Sequence, residues 1–86
     1  MEIKQCEHFA TKVQAFLVEI TPAQVREKIG FDPNVNEDET RGYGASWCFT
    51  INGTQCAVWY RGHHARACGT RDALVALFGD HVMWAD

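Results

Sequence analysis

Residues 45–61, ASWCFTINGTQCAVWYR, decide the fold that this sequence predicts. Two runs rich in aromatic and β-branched residues flank Asn52-Gly53. An Asn-Gly pair in this setting is typical of a type I′ β-hairpin, because both turn residues need positive φ. A two-residue turn also fixes the register, so that Ile51 lies opposite Thr54. One face of the hairpin then carries most of the large apolar side chains, and we assign that face to the core: Trp47, Phe49, Ile51, Cys56, Val58 and Tyr60.

The same register separates the two cysteines of the hairpin. Cys48 and Cys56 fall on opposite faces, so they can neither form a disulfide nor share a metal ion. Cys48 and Cys68 share a face, but a strand lies between them and sets them roughly 9–10 Å apart. We therefore expect four reduced thiols and no metal or cofactor. The alternative is a metal cluster of His64, Cys68 and Cys48, whose spacing is unlike that of known structural zinc sites.

Towards the C-terminus we predict a third strand at about 64–68, joined to the hairpin through Gly62 and His63. In its register Trp59 faces Arg66 and Ala57 faces Cys68. Thr70 can cap a last helix over about 71–78, which Gly79 would end. The tail, DHVMWAD, contains apolar residues that are costly to expose, and we expect it to pack back on the domain as an extended segment.

Towards the N-terminus, apolar residues recur every three or four positions between residues 3 and 20, which predicts a helix over about 4–18. The β-branched Val13 and Ile20 also fit a strand, which is the alternative. A second helix, at about 22–29, has stronger signals. Thr21 and Gln24 form a capping box, Pro22 takes the first helical position, and Gly30 can end the helix.

These elements predict an α+β fold that occupies residues 1–86 as a single compact domain. It has N-terminal helices at about 4–18 and 22–29, and a three-stranded antiparallel sheet at about 44–51, 54–61 and 64–68. The C-terminal helix at about 71–78 packs on the sheet. No apolar run approaches the roughly 20 residues of a membrane span, and the first residues show no export signal, so we expect a cytoplasmic protein.

The sequence contains no pattern typical of catalysis, and its net charge is −3. Tryptophan and arginine are enriched at binding hot spots. On the outer sheet face, the one opposite the predicted core, Trp59 would lie with the Arg66 side chain over its ring. We therefore expect a small non-enzymatic module that binds a protein partner as an adaptor or inhibitor, as monomer or homodimer. As a small, acidic, single-domain chain it resembles accessory proteins encoded by phages and mobile elements. The candidate partner-binding residues lie on the outer sheet face and in the acidic loop 32–39: Trp59, Arg61, His64, Arg66, Glu37, Asp38 and Glu39.

Residues 44–79 suggest a second interpretation. A three-stranded antiparallel sheet backed by a helix resembles, in outline, the plant ethylene-response type of DNA-binding domain. That resemblance implies a nucleic-acid-binding module that reads the major groove with its sheet. The outer face carries only Arg61 and Arg66, whereas tight DNA binding typically uses about six or more phosphate contacts. Nucleic-acid binding is therefore the alternative function.

Overall fold

The computed structural model describes residues 2–6, 14–35 and 44–84. Within these ranges lie six strands and two α-helices. The strands are β1 (Ile3–Gln5), β2 (Ala15–Leu17), β3 (Ser46–Ile51), β4 (Thr54–Arg61), β5 (His64–Cys68) and β6 (Val82–Trp84). The helices are α1 (Pro22–Ile29) and α2 (Arg71–Phe78), and a 3-10 turn at Gly79–His81 leads into β6. The strands form one antiparallel sheet in the order β1-β3-β4-β5-β2-β6.

The hairpin at the centre of the sheet has the predicted register. Ile51 pairs with Thr54, and the pairing continues to Ser46 with Trp59. Asn52 and Gly53 have φ values of 50° and 86°, as the type I′ turn requires. The predicted pairing of Trp59 with Arg66 across β4 and β5 is also confirmed.

Both shorter helices are confirmed, and each begins at its predicted cap. Thr21 accepts a hydrogen bond from the Gln24 N–H at 3.2 Å, and Gln24 accepts one from the Thr21 N–H at 2.8 Å. These two bonds complete the capping box of α1. Thr70 caps α2 by accepting a hydrogen bond from the Ala73 N–H at 3.2 Å.

The prediction of an N-terminal helix at about 4–18 is wrong. Its described parts form β1 at one edge of the sheet and β2 between β5 and β6. In β2 the side chains of Ala15 and Leu17 are buried, and Phe16 between them lies on the opposite face. Because both faces accept apolar side chains here, the alternation of a strand is hidden and the apolar residues mimic a helical stripe.

The sheet is therefore not three-stranded. β5 is an inner strand, because β2 covers the edge that the sequence analysis left open. The C-terminal tail does return as an extended segment, since Leu17 in β2 pairs with Val82 in β6. The resemblance to a three-stranded DNA-binding sheet is lost with this change, because β1 flanks the hairpin on one side while β2 and β6 extend the sheet on the other.

The main core lies between one face of the sheet, here called the inner face, and the two helices. The predicted core side chains of the hairpin are buried there with Val25 and Ile29 of α1 and Leu74 and Phe78 of α2. The rings of Trp47 and Tyr60 meet edge to face, with centroids 6.4 Å apart. Neither helix in the described ranges has the length and apolar character that crossing a membrane demands.

Candidate functional site

The opposite face of the sheet, here called the outer face, carries the residues that the sequence analysis selected. Strand pairing aligns one side chain from each of five strands in a single row across this face. In spatial order the row is Ser46, Trp59, Arg66, Phe16 and Met83. Exposure rises along it, from 1% at Ser46 and Trp59 to 56% at Met83. The accessible part of the row is therefore the part near β6.

Trp59 was predicted to contact a partner, but its side chain is buried. Cys48, Ala57 and Cys68 are also buried on this face, so the centre of the outer face is not exposed to solvent. A partner that approaches the folded protein does not reach the Trp59 ring. Substitution of Trp59 would consequently report on folding before it reports on binding.

The other three predicted residues of the outer face are accessible to different degrees. Arg61 and His64 pair with each other across β4 and β5, and both are exposed. Arg66 is half-buried, and its guanidinium carbon lies 5.8 Å from the centroid of the Phe16 ring. The predicted position of this guanidinium was over the Trp59 ring, and it lies over Phe16 instead. Its Nε atom is buried and has no hydrogen-bond partner among the described residues.

The acidic loop predicted at 32–39 is described only over residues 32–35. Asp32 forms an ion pair with Arg26 of α1. Asn34 binds the edge of β3 through both atoms of its side-chain amide: its Nδ2 donates to the Cys48 carbonyl at 2.9 Å, and its Oδ1 accepts from the Cys48 N–H at 2.8 Å. This part of the loop is thus fixed against the sheet. Glu37, Asp38 and Glu39 lie outside the described residues.

An open groove beside the exposed end of the row was not anticipated from the sequence. It has a volume of about 350 Å³. Its lining combines apolar and titratable side chains: Phe16, Leu17, Val18, Glu19, His63, His64, Ala65 and Met83. Phe16 was not predicted because its spacing fits a helical core stripe. Met83 was not predicted because the tail has no signal that sets a strand register. We call Arg61, His64, Arg66, Phe16 and Met83 the Phe16–Met83 face.

A second open cleft lies between the hairpin turn and the start of α2. Its volume is about 590 Å³, and it is lined mainly by small and polar residues: Ile51, Asn52, Thr54, Thr70, Asp72, Ala73 and Ala76. Asp72 occupies the first turn of α2, where a carboxylate is stabilised by the helix dipole. The helix dipole thus accounts for Asp72, the charged side chain among the residues that line this cleft.

Two of the four thiols, Cys56 and Cys68, are unsuited to act as nucleophiles. All four cysteines, each of which is among the described residues, are outside any disulfide. Burial raises the pKa of the Cys56 thiol from 9.0 to about 11 and also raises the pKa of Cys68. Both groups are thus protonated near neutral pH, whereas a nucleophilic cysteine requires the thiolate. In the part of the chain that the structure describes, no three His, Cys, Asp or Glu side chains are grouped as a metal site would need.

Comparison of the chain with protein-family models, with curated proteins and with solved structures found no match.

Proposed function

We propose that this protein is a small non-enzymatic interaction module, an adaptor or an inhibitor, that binds a protein partner through the Phe16–Met83 face. The observation that carries the proposal is the exposure of Met83 at the end of a cross-strand row that also holds half-buried Phe16 and Arg66. Methionine is flexible and polarizable, and it is common on surfaces that adapt to protein ligands. Phe16 supplies a larger apolar surface next to it.

The charge of the face indicates the chemistry of the partner. Arg61 and Arg66 form no ion pair with any described residue, and His63 and His64 lie beside them. Among the described residues that line the groove, Glu19 is the one with a carboxylate. Guanidinium groups bind carboxylates in bidentate geometry. We therefore expect the occupant to be an acidic protein segment that inserts an apolar side chain beside Met83.

The raised thiol pKa values support a non-catalytic role, because they leave Cys56 and Cys68 without nucleophilic character at neutral pH. The alternative function, nucleic-acid binding, would use the same arginines. The buried centre of the outer face argues against an open sheet lying in a groove of duplex DNA. Duplex DNA is therefore included in the test as a competing ligand.

The test compares three versions of the full chain as affinity baits in extract from the native host. Arg61→Glu combined with Met83→Asp reverses the charge and removes the apolar contact of the face. Val75→Asp is the matched control, because Val75 is the other large apolar residue that is exposed among residues 2–6, 14–35 and 44–84; it is 45% exposed and lies on α2. Circular dichroism of each variant establishes that the fold is retained.

A supporting result has three parts. Wild type and Val75→Asp retain a common partner, and the double variant binds it at least about tenfold more weakly, a loss equivalent to about 1.4 kcal/mol. Cross-linking then maps the contact to an acidic segment of that partner. Equal binding by all three versions would contradict the proposal. Strong, steeply salt-dependent binding of wild type to generic duplex DNA would instead support the nucleic-acid function.

A further inference from the structure

The end of β1 brings two cysteines opposite each other. Gln5 pairs with Phe49, and the next residues along the two strands are Cys6 and Cys48. The register continues through this position, since the Cys6 N–H donates a hydrogen bond to the Cys48 carbonyl at 3.1 Å. Directly opposed residues of antiparallel strands point their side chains to the same face. This pair was not predicted from the sequence, because the spacing of apolar residues places Cys6 in a helix.

This spacing is suitable for a disulfide. Opposed residues in a hydrogen-bonded antiparallel pair have Cα atoms about 5.5 Å apart. Disulfides span Cα separations of roughly 4.4–6.8 Å. The Cys48 N–H also donates to Oδ1 of Asn34 at 2.8 Å, which holds the backbone of β3 at this position. The backbone spacing of the pair thus lies within the range that a disulfide spans.

The other pairings are disfavoured by the same sheet geometry. Cys68 lies in the same cross-strand row as Cys48, but Ala57 of β4 is between them, which sets them roughly 9–10 Å apart. Cys56 faces the inner side of the sheet, opposite Phe49. Cys6 is half-buried, whereas the remaining three thiols are buried, so an oxidant in solution meets Cys6 first.

We propose that Cys6 and Cys48 form a reversible intramolecular disulfide when the protein meets a peroxide. The Cys6 sulfur attacks hydrogen peroxide: an S–O bond forms, the O–O bond breaks, and the thiol proton leaves with the departing hydroxide as water. The Cys48 sulfur then attacks the sulfenic sulfur. The S–S bond forms, the S–O bond breaks, and a second water leaves. Two thiols are oxidised, and one peroxide is reduced to two waters.

The disulfide would hold a short edge strand to the rest of the sheet. β1 is a three-residue edge strand that pairs only with β3 among the described strands. A covalent bond at Cys6 and Cys48 holds the end of β1 to the centre of the sheet. Oxidation should therefore protect the β1 amides from exchange and raise the melting temperature, and a thiol reductant should reverse both effects.

The test treats the folded full-length protein with hydrogen peroxide, blocks remaining thiols with N-ethylmaleimide and measures the intact mass. Trypsin with chymotrypsin then releases the cysteines in separate peptides, because chymotrypsin cuts after Phe49, between Cys48 and Cys56. Cys6→Ser and Cys48→Ala remove one partner each. Cys68→Ala is the matched control, since it removes a buried thiol from the same face.

We expect wild type and Cys68→Ala to lose two hydrogens and to yield one peptide that links Cys6 to Cys48. We expect Cys6→Ser and Cys48→Ala to yield no internal link. Wild-type amide exchange at Lys4 and Cys6, whose N–H groups point towards β3, needs no variant and should slow on oxidation and recover with dithiothreitol. A link between Cys48 and Cys68, a dimer joined through Cys6, or oxygen addition without any link would each overturn the inference. Peroxide-treated protein that carries four N-ethylmaleimide groups, with the same mass as untreated protein, would also overturn the inference.

Discussion

Gly69 lies so close to the Cys56 side chain that the position favours a residue without a Cβ atom. Its φ is +147°, and a Cβ atom built on it would lie 2.7 Å from the Cys56 sulfur. Cβ atoms essentially never come so close to another heavy atom, so a side chain at this position forces the Cys56 side chain or the backbone around it to move. Glycine here lets the chain leave β5 and reach the cap of α2 at Thr70.

We predict that Gly69→Ala lowers the free energy of unfolding by about 1–3 kcal/mol through overpacking and backbone strain. Cys56→Ala removes the sulfur that the new methyl group would meet. The loss caused by Gly69→Ala should consequently be smaller in a Cys56→Ala background, and urea denaturation of the four proteins in this double-mutant cycle measures the difference. Additive losses would show that the sulfur contact is not the cause.

Cys56 also makes stability depend on pH. Its pKa is raised from 9.0 to about 11 by burial, and burial raises the pKa of Tyr60 as well. The folded protein therefore holds these protons at pH values where the unfolded chain has released them. The resulting stabilisation is complete below about pH 9 and is lost as the pH rises through about 11. Acidic conditions do not weaken it.

We predict that the free energy of unfolding falls between about pH 9 and about pH 11, and that Cys56→Ala reduces the slope without abolishing it, because Tyr60 still contributes. Urea denaturation at a series of pH values provides the measurement. Identical slopes for wild type and Cys56→Ala would exclude the thiol as the titrating group.

At the scale of elements, the hairpin turn has a second role that its sequence motif does not indicate. Asn52 accepts a hydrogen bond at 2.8 Å from the Glu2 N–H through Oδ1, and its own N–H donates to the Glu2 carbonyl at 2.8 Å. The turn residue thus extends the pairing of β1 with β3 beyond the strand itself. The residue that favours positive φ thus also holds Glu2 beside the hairpin turn.

Two substitutions separate these roles of Asn52. Asn52→Gly retains the turn but removes the Oδ1 bond, whereas Asn52→Ala removes both the bond and the tolerance for positive φ. We predict faster amide exchange in β1 for both variants. An additional loss of roughly 1–2 kcal/mol in unfolding free energy should appear for Asn52→Ala alone, the usual cost of the left-handed conformation. Equal stability of the two variants would contradict this division.

The elements that the sequence predicted correctly have their signals within a few residues. Each of these signals acts on backbone groups close to it in sequence. They are the capping box of Thr21 and Gln24, the two cap residues of α2, Thr70 and Gly79, and the turn residues Asn52 and Gly53. β1 and β2 have no such signals. Their strand conformation depends on partners far along the chain, such as Ile51 opposite Ile3 and Ala67 opposite Ala15. Spacing alone could not distinguish these short strands from a helical stripe.

The same difference explains which part of the candidate site was predictable. Arg61, His64 and Arg66 belong to strands whose register follows from the hairpin, and that register is the predicted one. Phe16 and Met83 belong to β2 and β6, so their position beside Arg66 required the tertiary pairing. The burial of Trp59 likewise could not be predicted from the hairpin. A residue on the outer face is buried only where other parts of the molecule pack against it.

At the scale of the whole molecule, β2 is the element that joins the parts. It pairs with β5 on one side and with β6 on the other, and so connects the central hairpin to the C-terminal tail. It also places Phe16 between Arg66 and Met83. The Phe16–Met83 face exists only if residues 15–17 form a strand at this position.

The most direct test of this account is a nuclear Overhauser experiment on uniformly labelled protein. Val18 donates its N–H to the His81 carbonyl at 2.8 Å, so Leu17 with Val82 and Ala15 with Trp84 are pairs without direct hydrogen bonds, in which the backbones approach most closely. We predict strong Hα–Hα contacts for both pairs. Contacts from Hα to the amide three residues later through residues 14–18, without the cross-strand contacts, would instead show the helix and contradict the proposed face.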